Sequence, residues 1–186
     1  LFSNEVSGRA AWVSLPQGRD WSQMTRTAID VDGASLLAAT PSDIGAFCPG
    51  YAALDPKGKR EFWVVLVSEI ASTQSGLNPD IVKNPPSTPP GSAQARRGLM
   101  QISSDAARQY ACANIGVAQL TDPQTNLGCG VKILAATSGR DQIVLGFTPD
   151  GWKGAGRYWT DLRRPEALAE IQDRLNQQTF CRKRTS

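Results

Sequence analysis

At 186 residues with 40% hydrophobic content, the chain is long enough for one domain with a real core and has no call for a second lobe. Its net charge of +3 is too mild to argue for nucleic acid as a partner. The complete absence of histidine removes Ser-His-Asp and Cys-His nucleophile systems and the usual zinc hydrolase sites, and no cofactor or metal site is expected.

Residues 1–40 read as an irregular lead-in with one or two short helices, in which Trp21, Met24 and Ala28 fall at helical spacing. The opening Leu-Phe-Ser-Asn has no secretory leader, as expected of a mature or trimmed chain. Asp32-Gly33 punctuates, and Pro41-Ser42-Asp43 marks a helix start leading to Phe47 and Cys48. Lys57, Lys59 and Arg60 read as a solvated basic loop. The stretch Glu61–Pro79 organises the rest. Phe62 to Val67 are apolar without interruption, followed by Ile70 and Ala71, which predicts a helix buried on nearly every side. That run is far too short to span a bilayer. Gly76 suits a left-handed helix end and Pro79 lies just beyond, so the helix is expected to finish near Ser75.

Lys83–Arg97 carries four prolines in six residues and reads as a stiff, extended lip. A helix is expected from about Ser104 to Ala113, capped by Ser103 or Ser104. Asp122-Pro123 opens another, with Leu127, Val131 and Leu134 at apolar spacing. Residues 138–157 are rich in turn formers. Pro165 begins a last helix striped by Leu168, Ile171 and Leu175, before a basic tail. No alternating strand pattern stands out, so the chain reads as mainly α. The four cysteines, with no Cys-x-x-Cys pair, favour disulfides and an oxidising compartment. Of three connectivities the preferred one is Cys112–Cys129 with Cys48–Cys181. The first would close a short loop worth roughly 3 kcal/mol in the chain-entropy model. Four buried free thiols are the alternative.

Two stretches carry a resemblance. Gln74-Ser75-Gly76-Leu77-Asn78-Pro79 resembles the Glu-Ser-x-(Phe/Leu)-(Asn/Asp)-Pro motif of the lytic transglycosylase and goose-type lysozyme superfamily, and Gly98-Leu99-Met100-Gln101 resembles its second signature. Together the matches run from about Phe47 to Leu162. The resemblance implies a single lysozyme-like domain with a central buried helix: a lead-in over 1–45, a catalytic core over 46–164, a C-terminal helix over 165–181 and a tail over 182–186. It implies a periplasmic or secreted monomer acting on peptidoglycan glycan strands, with a proteinaceous inhibitor or immunity protein as a further partner.

One departure outweighs the agreement. The family's catalytic acid is a Glu, and Gln74 stands in its place. Trp63, Val67, Ile70 and Ala71 precede position 74 at helical spacing, a setting that would hold a Glu protonated by desolvation. An amide keeps the size and the hydrogen bonding but has no acidic proton to give. Glu69 lies about 140° around the helix from position 74 and reads as a structural or surface carboxylate. Two accounts of Gln74 remain: an engineered inactive variant, favoured because the other motif residues look intact, or a natural binding protein on an enzyme scaffold.

By the same resemblance Ser75 follows the acid, with helix capping as its plainer role. Gly98, Leu99, Met100 and Gln101 line the opposite cleft wall, Met100 as an apolar contact or core packing and Gln101 as an orienting hydrogen bond. Asn126 matches a largely structural Asn. The third motif, usually Ala-Tyr-Asn, retains only Tyr158 in Gly156-Arg157-Tyr158-Trp159. Tyr158 then steadies the reacting sugar or sits in the core, and Trp159 stacks a sugar ring or packs. The implied reaction cleaves the β-1,4 bond between N-acetylmuramic acid and N-acetylglucosamine. The lack of a good second carboxylate tilts this towards an anhydro product over hydrolysis.

Overall fold

A computed structural model describes residues 8–112 and 116–183. Helix α1 (Gly18–Asp32) and the short α2 (Ala34–Ala38) precede α3 (Ile44–Phe47). The lead-in is therefore more regular than its sequence implies. Trp21, Thr25 and Ile29 form the buried stripe of α1, and Trp12 packs edge-on against Trp21 at 5.7 Å.

Helix α4 (Pro56–Ser75) is the axis of the molecule and begins earlier than its apolar run. Asp55 caps it by accepting from the Gly58 N–H at 2.8 Å, and Pro56 sits where no backbone donor is needed. Lys57, Lys59 and Arg60 consequently belong to its first turns, not to a loop. Every residue from Glu61 to Ala71 is buried. That is possible because α1, α2, α6 and α7 all pack on it. The one carboxylate this forces into the core near its start is matched: Arg26 holds Glu61 in a fork, at 2.7 and 3.0 Å. Tyr51, Phe62 and Trp63 interlock edge to face. The Trp63 indole donates to the Tyr51 hydroxyl at 3.1 Å, and burial pushes that phenol up to about 12. Gly76 ends the helix in the left-handed region, at φ 60°.

Two small hairpins accompany the helices of this mainly α chain. Strand β1 (Val82–Lys83) pairs with β2 (Arg96–Arg97), and β3 (Leu145–Thr148) pairs with β4 (Gly151–Gly154). Two- and four-residue strands are too short for alternation to register in sequence. Helix α5 (Ser104–Gln109) stops short of the expected end at Ala113, which lies outside the described residues. Ser103 caps it through Ala106 at 3.1 Å. Helix α6 (Pro123–Leu134) is capped by Asp122, and α7 (Pro165–Asn176) lays Ala167, Ile171 and Leu175 on the core. Cys48 is bonded to Cys181, and Cys112 to Cys129. No helix among the described residues is long and apolar enough to cross a membrane. The molecule is one mainly α domain.

Glu69 is buried on the flank of α4 that faces α7. Desolvation raises its pKa, partly opposed by the Arg174 guanidinium, while Glu170 adds to the rise. A carboxyl with a raised folded-state pKa contributes stability that is complete below its ordinary value near 4.5 and fades as pH climbs through the raised one. Glu69→Gln is therefore expected to flatten the decline in stability over that window. Urea midpoints measured on both sides of it check this, and parallel pH profiles for the two proteins would refute it.

Candidate functional site

The last turn of α4 delivers Gln74 into the interior. Trp63, Val67, Ile70 and Ala71 are all fully buried, and Gln74 itself is 1% exposed. Its Nε2 is buried without a hydrogen-bond partner. A buried amide donor left unmade costs about 1–3 kcal/mol, so nothing structural recommends an amide here. The neighbouring Ser75 turns its hydroxyl back onto the Ala71 carbonyl at 2.9 Å, satisfying the helix end.

The β1–β2 hairpin ties this helix end to the second motif. Lys83 donates its ammonium to the Gln74 carbonyl at 2.5 Å, a cation on the negative end of the helix dipole. The Ile81 carbonyl accepts from the Gly98 N–H at 3.1 Å and from Gln101 Nε2 at 3.0 Å. Lys83 gave no signal in the sequence, because one lysine in an exposed, Pro-rich run looks like any solvated charge.

The Gly98–Gln101 turn is itself held from behind. Asn126, fully buried, accepts from the Met100 N–H at 2.7 Å and donates to the Arg97 and Leu120 carbonyls at 2.9 and 2.7 Å. Gly98 has φ 76°, and a Cβ there would come within 2.4 Å of the Leu120 carbonyl oxygen and 2.5 Å of Asn126 Nδ2. Only glycine fits both demands. Leu99 and Met100 are fully buried and Gln101 is 1% exposed. Met100 rests against Gly130, so its side chain lies in the core and not on an open wall. Gln101 Oε1 is buried and unpartnered, like Gln74 Nε2.

Tyr158 reaches the same turn from the far side. Its hydroxyl donates to the Gln101 carbonyl at 3.1 Å and accepts from the Ser103 N–H at 3.3 Å. Burial raises its pKa, with the Ser103 bond acting the other way. Trp159 is fully buried and donates its indole N–H to the Met100 carbonyl at 2.7 Å, which makes it a core strut with no face for a sugar. The structure thus gathers Gly98–Gln101, Asn126, Tyr158 and Trp159 into one hydrogen-bonded turn, joined to Gln74 through the hairpin.

Among the described residues no carboxylate takes over from Gln74. Between Ile70 and Pro165 the chain has no glutamate. Asp105 pairs with Arg108, and Asp122 caps α6. Burial would raise the Asp141 carboxyl, but Arg157 and the Gly154 N–H outweigh it and hold the group below the usual range. Asp80, Asp150 and Asp161 are exposed. Among the described residues no cluster of three or more His, Cys, Asp or Glu is arranged to hold a metal. A separate hollow of about 460 Å³ lies between α1 and α6, lined by Met24, Ala28, Val31 and Gln124, away from Gln74.

Residues 53–142 match the family described as the transglycosylase SLT domain. No curated protein matches the chain. Among solved structures, the wild-type form of Bd0314 DslA is 28% identical, with a TM-score of 0.88 over 97% of this chain and 100% of that one. Two Glu-to-Gln variants of DslA, each 29% identical over the same shares, give TM-scores of 0.88 and 0.86. A match of this kind indicates a peptidoglycan-acting glycosidase of lytic-transglycosylase type, and the two disulfides fit a secreted or periplasmic protein. Residues 53–142 are therefore similar to a transglycosylase SLT domain, and the fold around them is lysozyme-like.

Proposed function

We propose that this is the scaffold of a peptidoglycan lytic transglycosylase that, with Gln74 at the acid's position, binds glycan strands without turning them over. The reaction it is shaped for cleaves the β-1,4 bond between N-acetylmuramic acid and N-acetylglucosamine. An acid at position 74 protonates the leaving oxygen as the C1–O bond breaks. Its carboxylate then takes the proton from the muramyl 6-hydroxyl as that oxygen attacks C1, giving the 1,6-anhydro product. The observation that carries this reading is the partnerless Nε2 of Gln74, buried at the end of α4 one turn beyond Ile70 and Ala71. Tyr158 acts in this reading as a positioning residue, through the carbonyl of Gln101.

Gln74 is closed to water, so a strand reaches it only when its cover gives way. We assign that movement to the β1–β2 hairpin, which touches this helix end through Lys83: its strands pair at two positions, and residues 84–94 are mostly exposed. Without a second carboxylate to position water, the anhydro product is favoured over a muramidase's reducing end. The absence of any replacement for the acid favours one second reading, a natural binding protein that never cut. Restoring Glu at position 74 separates the three. Anhydro ends released from purified walls support the transglycosylase, reducing ends the muramidase, and intact walls that still retain the protein the binding module.

A further inference from the structure

The β3–β4 hairpin carries an aromatic pair that neither the core nor Gln74 requires. Phe147 and Trp152 stand opposite each other across the ladder, with ring centroids 5.5 Å apart and planes at 62°. Leu145, two residues back and so on the same face, is buried, whereas Phe147 is 68% exposed. The apolar face of the hairpin therefore runs out of the core and ends in water. Among the described residues, the other large hydrophobics this exposed are valines. A lone exposed valine needs no explanation, but an exposed ring held in a fixed attitude does.

That attitude is set from behind. The Trp152 ring lies so close to Gly156 that a Cβ there would come within 3.0 Å of it. The Arg163 guanidinium sits 5.9 Å from the indole centroid, steadied by its Nε donating to the Gly156 carbonyl at 2.8 Å. Strand β4 passes directly into the turn Ala155–Arg157 and then into Tyr158, so the pair is continuous in chain with the candidate site.

We propose that Phe147 and Trp152 form a stacking platform for a pyranose ring of the glycan strand, an accessory subsite beyond the reacting residues. This rests on the glycan reading given above. A β-1,4-linked amino sugar turns an apolar C–H face to such a ring while its polar edges stay hydrated. Rings already immobilised by their neighbours lose little freedom on binding. Arg163 places a cation beside the platform, suited to the lactyl carboxylate that muramic acid carries where no peptide is attached.

Trp12, Trp63 and Trp159 are fully buried and Trp21 nearly so, leaving Trp152 as the partly exposed indole. Tryptophan fluorescence, titrated with a peptide-free peptidoglycan tetrasaccharide, therefore reads the platform. The wild-type chain is expected to give a saturable change that Trp152→Phe abolishes. Phe147→Ala is expected to bind roughly tenfold more weakly, with Phe147→Trp restoring affinity. Equal affinity for Phe147→Ala and wild type overturns the platform. If the wild-type chain neither responds nor is retained by purified walls, the glycan reading falls and the platform with it. If Gln74→Glu cuts walls and adding Phe147→Ala changes neither binding nor cutting, the platform alone falls.

Discussion

Gln74→Glu is expected to clear suspensions of purified cell wall that the Gln74 chain leaves turbid. A positioned general acid–base is worth about 10²–10⁴ in rate, and that gain is expected over the Gln74 chain. The pH dependence follows from the surroundings. A carboxyl replacing the amide would take a position that is 1% exposed, one turn beyond the fully buried Ile70 and Ala71, and desolvation would raise its pKa. Activity that needs the protonated form is then lost as pH rises through that raised value. Stability carries the same sign: the variant is at its most stable below the ordinary carboxyl pKa and weakens as pH climbs through the folded one. Turbidity loss and thermal midpoints, each followed against pH, check both. A variant that folds, binds walls and leaves them intact at every pH would remove position 74 from the chemistry.

The second large effect lies behind the site. Asn126→Ala is expected to cost about 2–5 kcal/mol, because it strands two buried backbone groups at once, the Met100 N–H and the Leu120 carbonyl, while the Arg97 carbonyl keeps only its bond from the Ile102 N–H. Asn126→Asp is the informative companion. It keeps the acceptor for Met100 but loses both donors, and it brings a charge into a fully buried position. Urea unfolding measures both. Loss under 1 kcal/mol for the alanine variant, judged against the typical 1–3 kcal/mol per stranded group, would mean the turn is held by something else.

The sequence and the structure agree most closely where one residue type has one reason to be present. The uninterrupted apolar run from Phe62 to Val67 can only be a core helix, and Gly76 with Pro79 can only end it. Asp55-Pro56 is an equally clear start, but Lys57, Lys59 and Arg60 hid it, because three basic residues in four look like a solvated loop. The hairpins were illegible for a different reason. Strands β1 and β2 exist because Val82 and Lys83 pair with Arg97 and Arg96 across a long Pro-rich loop, and no local periodicity records that. Site residues divide in the same way. Gln74 is marked by its motif, whereas the motif says nothing of which way Met100 and Trp159 face. Both turn into the core, because the backbone of the Gly98–Gln101 turn, pinned by Asn126 and Tyr158, leaves them nowhere else to go.

The bond between Cys48 and Cys181 joins positions 133 residues apart, so almost three-quarters of the covalent chain is a closed ring. A protease that nicks the exposed run at 84–94 opens that ring without releasing a fragment. The cut protein is expected to migrate as one species on a gel without reductant and to separate into two pieces with it. Inside the ring α4 stays threaded among its neighbours, so a chain clipped once keeps its two halves in register.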